Sequence, residues 1–431
     1  MLKIIHTADW HLGHRLHGLS RKYEHECFLS WLLLQIEQTK ADALIIAGDI
    51  FDSANPPASA QSVFYDFLIR ARECSQALDI VIIGGNHDSA SRLDAPSQIL
   101  HSLGIHVVGG LTYQTNGNID WQRLLIPLSD SSGEVRAICG AMPFIRNADL
   151  PQMKERVHDD SDDLLIQGVA ELYQQLFQQM QHYKTALKLD HSVGQIVTGH
   201  CYMVGTELSE LSERRILGGN QHALPASIFN ETIDYVALGH LHKAQQLSNS
   251  SIRYSGSPIP LSFTERNYQH QISQISLNAD KLVVQAIIIP RAVQINSIPE
   301  QGYVKLSELE AEIAGYSFDS DSDFESEKES DKNKSNAPML EIKIELDKPE
   351  PGLRQQIESI LEGLAVRLLK ITIHYPGKGE ALAETHQQTR LEELNPEDVF
   401  QQCYQRHFDQ QAPRNISRLF QGLLESVQEQ E

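Results

Sequence analysis

The chain has 431 residues, 41% hydrophobic and 22% charged, with 36 Lys+Arg against 57 Asp+Glu and a formal charge of −21. That length suits two or three domains whose cores need no disulfide staples. The five cysteines (Cys27, Cys74, Cys139, Cys201, Cys403) are scattered without a C-x-x-C pair, which excludes a secreted disulfide framework and a cysteine-type zinc site.

In chain order, Leu2–Thr7 reads as a strand and Tyr23–Thr39 as a helix with Phe28, Leu32 and Ile36 on one side. Ala43–Ala47 and Ile80–Ile83 are further strands. Between them Gln61–Cys74 reads as a helix carrying Phe64, Phe67, Leu68 and Ala71. Strands alternating with helices imply parallel β-α-β units, whose loops past the strand ends are where sites are built. Short strands and turns fill 105–145. A long helix with an acidic first turn is expected over Asp160–Tyr183, followed by strands at Gly194–Thr198, Ile233–Leu238 and Ile252–Ser255.

Past residue 275 the character changes. Val283–Ile289, Leu340–Leu346 and Val366–His374 read as strands of a separate small α+β unit, interrupted by a Ser/Asp/Glu/Lys-rich insertion at Ser317–Ser335 that is expected to be disordered. From about 386 two amphipathic helices are expected. One starts at Asn395-Pro396-Glu397-Asp398 and carries Val399, Phe400, Cys403 and Tyr404; the other follows Pro413 with Ile416, Leu419, Phe420, Leu423 and Leu424. The domain reading is therefore 1–275, 276–385 and 386–431. No run reaches the ~18–20 apolar residues of a membrane helix, and a patterned strand stands where a leader would carry its apolar region. A cytoplasmic protein without a membrane partner is expected.

Five clusters follow predicted strands: Asp9-Trp10-His11, Gly48-Asp49-Ile50-Phe51-Asp52, Gly85-Asn86-His87-Asp88, Gly199-His200 and Gly239-His240-Leu241-His242. Each is weak alone, because a histidine after a strand is usually a satisfied core or surface residue. That bland reading is kept for the other fourteen histidines, of which His6, His14, His17 and His222 lie closest to the clusters. Jointly the five supply carboxylates, an amide oxygen and imidazoles. Such an oxygen and nitrogen donor set without thiolate suits Mn²⁺, Fe²⁺ or Zn²⁺.

The order D-x-H, G-D-x-x-D, G-N-H-D, G-H, G-H-x-H resembles the calcineurin-like metallophosphoesterases. His6–Gly13 (H-T-A-D-W-H-L-G), Ala47–Pro57 (A-G-D-I-F-D-S-A-N-P-P) and Tyr254–Phe263 (Y-S-G-S-P-I-P-L-S-F) resemble, more narrowly, the SbcD family of bacterial repair nucleases. The likeness is strong over about 1–275 and holds in outline beyond. It implies a four-layer α/β/β/α phosphoesterase core, a small capping domain and a partner-binding helical tail. It also implies two divalent ions, with Mn²⁺ the first choice. One ion would be held by Asp9, His11, Asp49 and His242, and the other by Asp49, Asn86, His200 and His240, with Asp49 bridging. His87 would assist the leaving group with Asp88 orienting its ring, and Asp52 would play a supporting part.

The activity implied is a DNA nuclease, 3′→5′ exonuclease on duplex ends and endonuclease on single strands and hairpins. It would work as a homodimer within a heterotetramer with an SbcC-type coiled-coil ATPase. The α-helical stripe at Phe64–Ala71 with 93–103 is either a dimer contact or monomer core, and the C-terminal helices are expected to grip the ATPase. Arg15, Arg21 and Lys22 are expected to touch phosphate; Arg214, Arg215, Arg253 and Arg266 read mostly as surface charge, and Trp10 as packing. The net acidity does not exclude nucleic acid, since part of it sits in the insertion and two dications against only Asp9 and Asp49 leave the pocket positive. A small-molecule phosphoesterase or a silent scaffold for the ATPase are the alternatives. The capping domain, the tail and the S-G-S-P-I-P-L motif count against the first, and the complete ligand set against the second.

Overall fold

The strands that open the chain are apolar almost throughout because both faces of their sheet are covered. In the computed structural model, β1 (Leu2–Thr7), α1 (Lys22–Thr39), β2 (Ala43–Ala47), α2 (Ala58–Cys74), β3 (Asp79–Ile83) and β4 (Ile105–Val108) come first. Side chains alternate along these strands. Ile4, Ala43, Ile45, Val81 and Ile83 enter one core, while Ile5, Leu44, Ile46, Ile80 and Ile82 enter another shared with Phe28, Leu32, Phe64 and Phe67 of α1 and α2. The structure describes residues 1–150, 161–190, 192–207, 223–247, 251–278, 281–316, 318, 336–376 and scattered positions between 399 and 420. The expected insertion at 317–335 (Phe318 apart), most of the tail from 386, Arg214, Arg215 and His222 lie outside the described residues.

A second sheet follows, built from β5 (Leu125–Ser129), β6 (Val135–Gly140), β7 (Gly194–His200), β8 (Tyr235–Gly239), β9 (Gln245–Gln246) and β10 (Ile252–Tyr254), with α3 (Ser161–Ala186) between β6 and β7. β11 (Gln271–Asn278) and β12 (Lys281–Ile288) return to the first sheet. The strand orders are β12-β11-β1-β2-β3-β4 and β9-β10-β8-β7-β6-β5. The inner faces of the two sheets share one core, which also takes Val169, Leu172 and Leu176 of α3. The result is the expected four-layer α/β/β/α arrangement. β1 to β4 pair in parallel, as do β6, β7, β8 and β10. The carboxyl ends of the central strands, and the loops that follow them, thereby gather at one edge of each sheet.

Three expectations change. The strand expected at Val283–Ile289 in the small unit pairs along its full length with β11, so the first unit runs to Pro290 rather than to 275. Its alternating half-exposed pattern is that of an edge strand covered on one face. The stripe Phe64, Phe67, Leu68, Ala71 is buried against the first sheet and is unavailable as a dimer contact; of 93–103, Leu93 and Leu100 are buried, whereas Ile99 and Leu103 are exposed. Arg21 is wholly buried, ion-paired with Glu24 and donating to the Pro260 carbonyl at 2.7 Å, so it cannot reach phosphate. Arg15 and Lys22 are exposed, Arg15 bonding the Gly18 carbonyl and Lys22 lying 3.6 Å from Glu26.

The second unit, from Arg291 on, has its own core. β13 (Ile295–Ile298), β14 (Val304–Lys305) and β16 (Arg367–His374) all pair in parallel with β15 (Met339–Glu345). α4 (Leu309–Ala314) and α5 (Leu353–Ile360) bury Leu309, Ile313, Leu353 and Ile357 against Leu340, Ile342 and Ile344. In the tail, Phe400 stacks on Phe420 at 4.2 Å and Gln401 donates to Ser417 at 2.9 Å, so its two segments touch each other. Among the described residues no helix is long and apolar enough to cross a membrane.

Candidate metal centre

Four loop residues that carry the predicted ligands depart from ordinary backbone. Asp9 (φ 54°), His11 (φ 47°), Asp49 (φ 50°) and His240 (φ 98°) all adopt positive φ. Non-glycine residues hold such conformations at a cost of about 1–3 kcal/mol each, and they persist where surrounding structure fixes a site. Hydrogen bonds supply that fixing. Asp9 N donates to the Gly48 carbonyl and His11 N to the Asp49 carbonyl, both at 3.0 Å, and His240 N donates to Asp9 Oδ1 at 2.8 Å.

Glycines let the loops close. A Cβ on Gly48 (φ 90°) would lie 2.3 Å from His200 Nδ1, and one on Gly239 only 1.9 Å from the Ala47 carbonyl oxygen. Gly239→Ala is therefore expected to force β2 and β8 apart, costing about 3 kcal/mol or more and weakening metal retention. Thermal melting and metal analysis of the variant check both.

Asp49 is the centre of the arrangement. Its Oδ2 lies 3.5 Å from His11 Nε2 and 3.3 Å from His200 Nε2, and its Oδ1 accepts from His87 N at 2.9 Å. Asn86 Oδ1 lies 3.0 Å from His200 Nε2 and 3.2 Å from His240 Nδ1. The rings of His11 and His242 meet edge-on at 5.1 Å, and those of His200 and His240 at 5.2 Å. Potential ligand atoms cluster in two sets, His11/Asp49/His87 and Asp9/Asp49/His200, with Asp49 in both. The structure thus brings all seven predicted ligands to one place. Asp9, expected beside His11 and His242, groups with His200, and His87 lies among the ligands near His11.

Burial sets the charge states. It raises Asp9 to about 6 and lowers His11 to about 4 and His240 to about 3, which keeps both rings neutral. Burial alone would raise Asp49, but His200, His87 and His11 hold its carboxyl well below the usual range. Burial would lower His200, yet Asp49 and Asp9 raise it to about 9. That proton is positive charge where a dication would compete for the same carboxylates. Asp9 Oδ2 and His11 Nε2 are buried without a hydrogen-bond partner. Buried orphans of this kind are costly unless a further group satisfies them. The donors fit a pair of divalent ions.

Supporting contacts orient the rings through their other nitrogens. His200 Nδ1 donates to the Ala47 carbonyl at 2.9 Å, and His242 Nδ1 pairs with Glu265 Oε1 at 2.9 Å. Asp52 Oδ1 lies 3.4 Å from His11 Nδ1 and 3.0 Å from His14 Nδ1. His87 Nδ1 donates to the Asp52 carbonyl at 2.9 Å, which leaves Nε2 to exchange a proton.

Asp88 does not orient His87. Both of its oxygens accept backbone N–H groups, Oδ1 from Phe51 and Oδ2 from Ile50 and Gly85, tying the second and third loops together. Burial and then the charge of Asp49 raise it to about 6. Trp10 is fully buried against Phe28, Phe64 and Phe67 and donates to Thr7 Oγ1. Sequence reasoning missed Glu265 and His14. Glu265 stands just past the Tyr254–Phe263 motif, the only local signal for it.

A family model described as calcineurin-like phosphoesterase matches residues 2–244, and a second, described as type 5 capsule protein repressor C-terminal domain, matches 291–408. The chain belongs to the calcineurin-like phosphoesterases, mixed α/β proteins with a dinuclear metal site. It is 34% identical to the SbcD component of nuclease SbcCD from Rhodobacter capsulatus over 93% of both chains. It is 28% identical to the same component from Escherichia coli K12, over 99% of this chain and 98% of that one. Within the superfamily it is a member of the SbcD family, and as such a metal-dependent nuclease, a phosphodiester hydrolase. A dimetal phosphatase from Danio rerio also matches in structure, with TM-score 0.39 and 11% identity over 67% of this chain and 98% of that one.

Proposed function

We propose that the chain is the nuclease component of a DNA repair and recombination complex, cutting duplex ends from 3′ to 5′ and opening single strands and hairpins internally. The observation that carries the reading is Asp49, whose carboxylate belongs to both ligand sets at the junction of the two sheets. Asp9, His11, Asp49 and His242 would hold one ion and Asp49, Asn86, His200 and His240 the other, Mn²⁺ being the metal proposed. Two such ions supply Lewis-acid activation of the phosphodiester and of the attacking water. The chain's own part is to hold the His11 and His240 rings neutral, to aim the ligand rings, and to present His87, half-buried and fixed through Nδ1. From there Nε2 would protonate the departing 3′ oxygen or stabilise the transition state. Arg15 and Lys22 are the side chains proposed to meet phosphate.

The test is product analysis with Mn²⁺. A 5′-labelled duplex should shorten progressively from its 3′ ends and a hairpin should open at its loop. Hydrolysis of a simple aryl phosphodiester with neither DNA cut, with or without an ATPase partner, would favour a small-molecule phosphoesterase.

The partner proposed is an SbcC-type coiled-coil ATPase, in keeping with the relatives' name as parts of SbcCD. The tail would grip it, the unit from 291 to 385 would act as the capping domain, and two nuclease chains would pair within a heterotetramer. Truncation after residue 385 is expected to abolish co-purification with the ATPase while aryl phosphodiester hydrolysis persists. Retained association would refute the tail's role.

A further inference from the structure

His11 and His242 stand on loops far apart in sequence, yet one unbroken path of polar contacts joins the backs of their rings. From His11 Nδ1 it crosses 3.4 Å to Asp52 Oδ1, and from there 3.0 Å to His14 Nδ1. His14 Nε2 lies 3.0 Å from the Leu261 carbonyl oxygen. On the other side of the same residue, Leu261 N donates to Glu265 Oε2 at 2.8 Å, and Glu265 Oε1 lies 2.9 Å from His242 Nδ1. The two rings at its ends are 5.1 Å apart. Leu261 is therefore a hub, and its segment is held in place: Arg21 donates to the Pro260 carbonyl at 2.7 Å and Ser257 Oγ to the Ile259 carbonyl at 3.0 Å. Arg21 N also donates to the His14 carbonyl at 3.2 Å, closing the hub onto the first loop.

We propose that His14, Asp52 and Glu265 are positioning residues that fix His11 and His242 in one frame through Leu261, and that they set the affinity of the ion on that side of the centre. The inference rests on the two-ion reading above. Glu265 takes the His242 ring by Nδ1 at hydrogen-bonding distance and Asp52 faces His11 Nδ1 at 3.4 Å, an arrangement that leaves each Nε2 for the ion; neither ring nitrogen of His11 has a hydrogen-bond partner of its own. The path bypasses the other side of the centre. His200 is held through the Ala47 carbonyl and His240 lies against Asn86, so a lesion at His14 or Glu265 should be felt by one ion and not by both.

The experiment measures Mn²⁺ bound to the full chain by equilibrium dialysis with metal analysis, with electron paramagnetic resonance of the bound Mn²⁺ as a second readout. Wild type should hold two equivalents. His14→Ala and Glu265→Gln should each weaken one of them about 10–100-fold, leave the other unchanged and replace a coupled spectrum by that of an isolated ion. His14→Gln, which keeps a donor, should recover part of the loss. Wild-type affinity at both sites in these variants, or equal weakening of both together with a lowered melting temperature, would overturn the proposal. If His14→Ala does not fold, the near-isosteric Glu265→Gln and Asp52→Asn decide it by the same criteria. Asp49→Asn is run alongside. Retention of both equivalents there would sink the two-ion reading itself, whereas their loss with His14→Ala and Glu265→Gln unaffected would sink only the positioning role.

Discussion

Asp49→Asn in the full chain is expected to lose bound divalent metal and to cut DNA more slowly by over about 10³-fold, beyond the loss of a single stabilising group. The side chain keeps its volume and can still accept from His87 N at 2.9 Å, so the fold should survive. What goes is the negative charge. Asp49 is the carboxylate common to both ligand sets, facing His11 at 3.5 Å and His200 at 3.3 Å, and its neighbours hold it ionised despite burial. An amide there cannot neutralise two dications. Metal analysis beside a melting curve checks the prediction, and a variant that keeps two equivalents of metal contradicts it.

The second large effect separates chemistry from binding. His87→Ala is expected to lower turnover by roughly 10²–10⁴-fold, the range for removing a general acid, while both metal equivalents stay bound. His87 is half-buried, its ring meets His11 edge-on at 4.8 Å, and Nδ1 is committed to the Asp52 carbonyl. Its backbone N–H, rather than its ring, holds Asp49, so truncation at Cβ leaves that contact in place. Loss of metal in the variant would make His87 a ligand instead, in keeping with its place among the ligand atoms near His11. Near wild-type turnover would remove it from the chemistry.

What the sequence made legible follows from what local pattern can encode. Buried parallel strands are apolar throughout, and the polar clusters just past their ends were visible as candidate ligands because β1, β2, β3, β7 and β8 each pair in parallel with at least one sheet neighbour, although β1 also pairs antiparallel with β11. Contacts across sequence were not visible. The four residues Phe64, Phe67, Leu68 and Ala71 announce an apolar face but not what covers it, and the first sheet does. Arg21 reads as a phosphate contact until Glu24, one turn on, and the Pro260 carbonyl account for it. Asp88 sits beside His87, which suggests a partnership, yet its carboxylate is turned toward three backbone amides. Glu265 and His14 acquire meaning only when the segment through Leu261 is laid against the first loop. β12 is an edge strand with alternating exposure, a pattern equally at home in the second unit, and only its register with β11 assigns it.

The most direct test of the two-ion nuclease is Mn²⁺-dependent cleavage of an end-labelled hairpin DNA by the full chain, with its ATPase partner added in parallel, wild type beside Asp49→Asn and His87→Ala. The account predicts cleavage by the wild type that chelation abolishes, absent in Asp49→Asn for want of metal and in His87→Ala despite it. Cleavage that persists in Asp49→Asn, or that survives chelation, would contradict the assignment of this site as the place where DNA is cut.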